Sequence, residues 1–345
     1  MKPRYLLILL ACTGISAAKV EPSSSLFSSF QALDLVITAP FSQLRKGRAA
    51  EELEEFPATL VYLKQLDIKL RARGNFRRRK DTCSFPPLRL NFAKKKSVGT
   101  IFEKQDKVKL VTQCKTGKQY AQLVVKEYLA YRVLNLLTDK SFKVRLVNAE
   151  YVNSDSGGKA IRHQAFLIES KKKLARRLKS IEHHAEKIEP AEVLPKYTSI
   201  VNLFEFMIGN TDWSMFTSAP GQECCHNLVP LKNEGGAVTS IPYDFDFSGT
   251  VNAPYAEPYP GLKIRQVTQR LFRGRCRHNV ELDATVRLFQ NKRQAIYALY
   301  QDSAELDKRT KKKALAYYDK FYAILDNPKK LHKKVFDRCL GPRSS

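Results

Sequence analysis

Apolar and polar residues alternate at period two along "LDLVITA" 33–39, "ATLVYL" 58–63, "LDIKLRA" 66–72, "PPLRLNF" 86–92 and "DKVKLVTQC" 106–114. Successive strand side chains point to opposite faces, so the alternation predicts half-buried strands. Across "QYAQLVVKEYLAYRVLNLLT" 119–138 the apolar positions fall three and four apart instead, which predicts one long helix. Strand patterns return at 142–151 and 163–169, separated by the turn-forming "NSDSGG" 153–158. The first half therefore reads as a sheet with one long helix.

The second half has a different texture. Residues 195–210 read as helical, as does nearly everything from about 264 to 340, and between them short strands at 226–231 and 237–243 flank the turn "KNEGG" 232–236. No internal repeat or low-complexity linker interrupts the pattern. A chain of 345 residues suits one large domain or two lobes. The expected organisation is a leader at 1–18, a β-rich lobe at 19–169 and an α-rich lobe at 170–345. A β-rich lobe joined to an α-rich lobe predicts an α+β, two-lobed, protein-kinase-like fold.

The leader is a basic start, "MKPR", then the apolar "YLLILLACTGI" and the small residues of "SAAKVEP". This is the pattern of a secretory signal cleaved near Ala18, and the apolar run is too short to span a bilayer as a stable helix. The alternative is a lipoprotein site with Cys12 acylated. Either way the expected destination is secreted or periplasmic, with no transmembrane segment in the mature chain.

Charge narrows the partners. Lys and Arg number 60 against 34 Asp and Glu, a balance of +26, which falls to +24 when Lys2 and Arg4 leave with the leader. The basic residues cluster at 77–80, 94–96, 171–179, 311–313 and 329–334. Such a balance favours anionic partners, a polyanion or an anionic membrane surface, and is silent about fold. Six cysteines remain outside the leader: Cys83, Cys114, Cys224, Cys225, Cys276 and Cys339. In an exported chain they suggest disulfides, with fifteen full pairings open. A rival reading, metal binding by Cys224, Cys225 and His226, is weak because adjacent cysteines rarely hold one ion together.

Candidate chemistry begins at "IPYDFDFSG" 241–249, where Asp244 and Asp246 leave a predicted strand. Strand-end carboxylates in solvent, or caps on local amides, would account for either residue alone. The preceding segments change that balance. "IGNTDWS" 208–214 ends a helix at Gly209 and places Asp212 in a loop, and Asn227 opens the next strand. An aspartate before a hairpin, an asparagine entering it and an aspartate leaving it suit Mg²⁺ completed by water and phosphate oxygens. In kinases a strand lysine meets the nucleotide phosphates and is held by a glutamate on the following helix. Lys109 and Glu127, eighteen positions apart, are spaced for that pair.

"GNTDWS", "HN" and "IPYDFDFSG" together resemble the core of atypical kinases related to the spore-coat kinase CotH, and are similar to the HipA-type kinases. The likeness covers about residues 66–250 through short motifs. It implies a base role for Asp212, metal roles for Asn227, Asp244 and Asp246, and ATP with Mg²⁺ or Mn²⁺ as cofactors. "RARGNFRRR" 71–79 echoes a CotH-like Arg-Gly-Asn segment, implying phosphate contacts from Arg73, Gly74 and Asn75. Trp213 after Asp212, and the inserted "SMFTSAPGQECC", depart from the family pattern. The implied activity is phosphoryl transfer from ATP to an acceptor hydroxyl of a protein or small molecule. The alternatives are nucleotidyl transfer by the same side chains, or a non-catalytic secreted protein that binds anionic partners.

Overall fold

The computed structural model describes residues 25–341, so the leader and its cleavage or acylation site lie outside the described residues. Each alternating segment forms a strand: β1 (Leu33–Ala39), β2 (Phe56–Tyr62), β3 (Lys64–Ala72), β4 (Leu88–Phe92) and β5 (Lys107–Thr112). The short helix α1 (Phe41–Gly47) follows β1, and α2 (Lys118–Leu137) follows β5. Strands β6 (Val144–Asn153) and β7 (Ile161–Ile168) complete the set.

These seven strands do not form the open sheet of a kinase lobe. They close into a barrel in the order β1-β2-β3-β4-β5-β7-β6. Closure comes from β6, which returns antiparallel along β7 and pairs in parallel with β1 over seven positions, Leu33 opposite Val147 through Ala39 opposite Asn153. The expected two-lobed, kinase-like fold is therefore corrected to a closed seven-stranded barrel with a small sheet and helices. The strand positions were read correctly, although β5 to β7 bury both faces over part of their length instead of one. Which strand pairs with the first is a long-range fact that alternation does not carry.

The barrel interior is filled by the inward residues of every strand, among them Leu35, Ile37, Leu60, Leu70, Leu90, Leu110 and Leu167, all buried. On β6 and β7 the outer face is apolar as well, with Leu146, Phe166 and Ile168 buried, and Val111 near the end of β5 extends that wall. Helix α2 covers that wall with Val125, Tyr128 and Leu129, and the same core continues into the helices of the second half.

After β7 come α3 (Lys171–Arg177), β8 (Ser180–Glu182) and α4 (Pro195–Ile208). Strands β9 (Leu228–Asn233) and β10 (Val238–Pro242) pair as the expected hairpin, and β8 joins them as a third strand. Helices α5 (Leu282–Gln301), α6 (Lys308–Leu325) and α7 (Pro328–Lys334) close the chain. Helix does not begin near 264 as expected. The backbone is irregular up to a 3₁₀ turn at Cys276–Glu281.

Three disulfides are present: Cys83–Cys114, Cys224–Cys225 and Cys276–Cys339. Such bonds persist in oxidising compartments. No helix among the described residues is long and apolar enough to cross a membrane.

Candidate functional site

Between the barrel and the hairpin lies a cavity of about 620 Å³ that gathers most of the sequence candidates. Arg73, Gly74, Asn75 and Lys109 line it from the barrel side, and Asp212, Asn227, Asp244 and Asp246 from the other. His226 and Tyr243 also line it.

The loop that carries Asp212 is fixed before the carboxylate enters the cavity. Helix α4 ends at Gly209 in the left-handed region, where glycine has no steric cost. The Asn210 side chain accepts the Asp212 amide at 3.0 Å, and the Trp213 indole N–H donates to the Asn210 carbonyl at 3.1 Å. The Arg273 guanidinium donates to the carbonyls of Thr211 and Trp213. From the other side, the amides of Gly249 and Thr250 donate to the carbonyls of Gly209 and Ile208. These bonds tie the segment after Asp246 to the segment before Asp212. A Cβ on Gly249 would collide with the Tyr317 hydroxyl and with the Val267 carbonyl oxygen, so glycine permits the close approach.

The hairpin presents the remaining groups. Asn227 and Asp244 flank its open end, joined by a bond from the Tyr243 amide to the Asn227 carbonyl at 3.0 Å. Both adopt positive φ, 55° and 66°, a conformation that Asn and Asp tolerate better than most residues. The Asp244 amide donates to the Tyr131 hydroxyl of α2 at 2.8 Å. Between the two aspartates, Phe245 is fully buried against Tyr131 and Phe204. That buried ring anchors a segment whose flanking carboxylates face the cavity.

Asp212 is engaged at both oxygens. His226 Nε2 lies 2.8 Å from one, and Asn227 Nδ2 donates to the other at 3.0 Å. The hydrogen bond to Asp212 raises the His226 pKa against the opposing effect of partial burial. The rival reading of Cys224, Cys225 and His226 as a metal site, already weak from the sequence, does not hold. Those two cysteines are bonded to each other, so neither offers a thiolate, and the imidazole turns to Asp212.

Glu127 does not hold Lys109. It is buried on α2 and lies 3.3 Å from Arg77, whose other nitrogen donates to the Thr112 carbonyl at 2.5 Å. Arg77 also lies 3.8 Å from Asp246, which accepts from the Tyr255 hydroxyl at 3.0 Å. Arg77, Glu127, Asp246 and Tyr255 thus form a network in the cavity wall, to which Arg77 and Asp246 contribute directly. Burial raises the Asp246 carboxyl to about 7, Asp244 adds to that rise, and Arg77 and Tyr255 oppose it. Burial and the nearby Asp246 push Glu127 up as well, against Arg77. Asp246 therefore lines the cavity while held by this network, and among the described residues its carboxylate accepts no backbone amide that would cap a turn. The disulfide from Cys83 to Cys114 ties the segment that carries Arg73 through Arg77 to the end of β5. "RRRK" had suggested only a basic surface, and nothing in the pattern marked Arg77 as the buried member.

Lys109 stands on β5 with Nζ 4.8 Å from the centre of the Tyr243 ring. Burial lowers its pKa to about 7, Arg73 lowers it further, and Asp244 opposes both. Lys109, Arg73 and the Asp244 carboxylate make no ion pair or side-chain hydrogen bond among the described residues.

The fit to a divalent cation can be judged from the donors. Asn227 spends its N–H₂ on Asp212, which leaves its carbonyl oxygen as an acceptor, and the Asp244 carboxylate is uncommitted. No group of three or more His, Cys, Asp or Glu side chains among the described residues could hold a metal unaided. Two oxygen donors nevertheless suit Mg²⁺, which takes its remaining ligands from water and phosphate.

No protein-family model matches this chain, and no curated protein sequence matches it.

Proposed function

We propose that this cavity binds ATP with a divalent cation and transfers a phosphoryl group to a hydroxyl of a protein or small molecule, in an exported, disulfide-bonded protein. The observation that carries the reading is the opposition of its two walls. An uncommitted carboxylate, Asp244, faces the unpaired cations Lys109 and Arg73 across a space large enough for a nucleotide. This gathering of side chains supports phosphoryl transfer without a kinase fold, since strands β1 to β7 close into a barrel.

Lys109 and Arg73 would face the phosphates, with Gly74 and Asn75 beside them at the cavity edge. Asn227 and Asp244 would hold Mg²⁺ or Mn²⁺, which when bound neutralises charge on phosphate oxygens. The Asp212–His226 pair would accept the proton of the acceptor hydroxyl, with Asn227 fixing the carboxylate. Arg77 and Tyr255 hold Asp246 in place behind Asp244.

The test is calorimetric titration of ATP into the folded, oxidised protein with and without Mg²⁺ or Mn²⁺, beside Asp244→Asn. The expected result is cation-dependent binding by the wild type, lost in the variant. Absence of binding by the folded wild type overturns the reading. Mass analysis of a modified target would separate phosphoryl from nucleotidyl transfer.

A further inference from the structure

The outward face of β3, β4 and β5 carries cations in register. Arg71 stands opposite Arg89, and Arg89 opposite Lys109, so three cations lie side by side across three strands. In the next row along the strands, Lys69 and Lys107 stand on either side of Asn91. In the row on the other side, the Arg73 amide bonds to the Pro87 carbonyl at the cavity mouth. The alternate residues Leu70, Leu90 and Leu110 are fully buried inside the barrel, which fixes these side chains outward.

Like charges placed directly opposite on neighbouring strands destabilise a sheet. None of Lys69, Arg71, Arg73, Arg89, Lys107 and Lys109 forms an ion pair among the described residues. The acids around the rows are engaged or set to one side: Glu55 accepts a hydrogen bond from Asn91 at 2.9 Å, Asp67 pairs with Lys96 at 2.7 Å, and Asp244 acts on Lys109 from the cavity. Arg89 is held down by burial and then by Arg71 and Arg73, with Glu55 opposing. The stripe keeps a repulsion that an anion laid along it would relieve.

Its dimensions select the anion. Rows two residues apart on a strand lie about 6.6–6.8 Å apart, the same interval at which an extended peptide repeats its side chains on one face. No outward residue of these three strands is aromatic, so the face offers no ring for base stacking. The barrel is closed, so a peptide cannot add to a free strand edge there and must be held by its side chains.

We propose that this face docks an extended acidic polypeptide segment, running past Lys69, Lys107, Arg71 and Arg89 to the cavity mouth at Arg73 and Lys109. The segment's role as acceptor rests on the phosphotransfer reading, whereas its binding does not.

The experiment is fluorescence anisotropy of a labelled dodecapeptide of alternating Asp and Ser, without nucleotide or metal, so that failure here is distinct from failure to bind ATP. A labelled oligothymidylate of equal charge is titrated in parallel. The wild type is expected to bind the peptide more tightly than the oligonucleotide. Arg71→Gln with Arg89→Gln is expected to weaken peptide binding about tenfold and to raise the thermal midpoint by removing the repulsion. A solely structural arginine pair would not give both effects. Equal peptide binding by wild type and variant, no peptide binding, or tighter binding of the oligonucleotide would each overturn the proposal.

Discussion

The Asp212 carboxylate lies 2.8 Å from His226 Nε2, and the two residues are also locked through backbone, because Ser214 and His226 exchange both amide bonds of a short antiparallel bridge. Imidazole and carboxylate therefore meet at a fixed angle, as a pair that moves a proton must. His226→Gln is predicted to lower single-turnover phosphoryl transfer by about 10²–10⁴-fold while leaving ATP affinity near wild type, since His226 holds neither phosphate nor cation. Rapid-quench kinetics would measure both. A loss confined to affinity would remove His226 from the proton path.

The same pair has a pH signature. His226 is raised above its unfolded value, so its ionic attraction to Asp212 is fully present below the unfolded histidine pKa and fades as pH rises through the folded one. Thermal midpoints are expected to fall over that window in the wild type relative to His226→Gln. A difference between the two proteins that does not change with pH would contradict the ion pair.

Arg77 lies between two buried carboxyl groups, 3.3 Å from Glu127 and 3.8 Å from Asp246. Removing one partner of a buried network leaves charge without compensation, at a cost of about 3–5 kcal/mol. Arg77→Leu is expected to destabilise by that order in urea unfolding. Adding Glu127→Gln and Asp246→Asn is expected to recover much of the loss, because neither neutral amide needs a counter-charge. A triple variant less stable than the single one would mean that the arginine acts mainly by packing.

These residues show how far the sequence could be read. Strand and helix positions were legible because burial imposes periods of 2 and 3.6 on the chain, and α2 and the β9–β10 hairpin lie where the pattern placed them. That Asp212, Asn227 and Asp244 line one cavity was legible because each sits at an element end that the pattern predicts. Barrel closure was not, since the β1–β6 pairing joins residues more than a hundred positions apart. The partner of Glu127 was hidden for a related reason. Spacing offered Lys109, but the Cys83–Cys114 bond holds the segment beside Cys83 at the end of β5, and Arg77 reaches Glu127 from there.

Lys109 gives a second pH dependence, of the opposite kind. Its folded pKa is about 7, below that of an exposed lysine, so charging it disfavours the folded state. That penalty is complete below about pH 7 and is relieved as pH rises from there toward the unfolded lysine value of about 10.4. Lys109→Met is therefore predicted to be more stable than wild type at pH 6 and to lose that advantage by pH 10. Its ATP affinity is predicted to be lower at pH 6, where the wild-type ammonium is charged. Melting curves and titrations at both pH values would check this. A wild type whose stability gap to Lys109→Met is the same at both values would show that Lys109 is solvated and unperturbed.

Gly249 tests whether the two loops must touch for the site to form. Its amide bonds to the Gly209 carbonyl at 3.1 Å, and a Cβ there would lie 2.5 Å from the Val267 carbonyl oxygen, inside any ordinary contact. Backbone cannot give way as a flexible side chain can, so Gly249→Ala must push the 246–250 segment off Gly209. Overpacking of this kind costs about 1–3 kcal/mol. Because that segment carries Asp246 and adjoins Asp244, ATP affinity is expected to fall along with stability. Denaturant unfolding and calorimetry on one preparation would separate the two effects. A variant that loses stability yet binds ATP as the wild type does would show that the cavity is positioned by the hairpin and Tyr131 alone, without the Gly209–Gly249 contact.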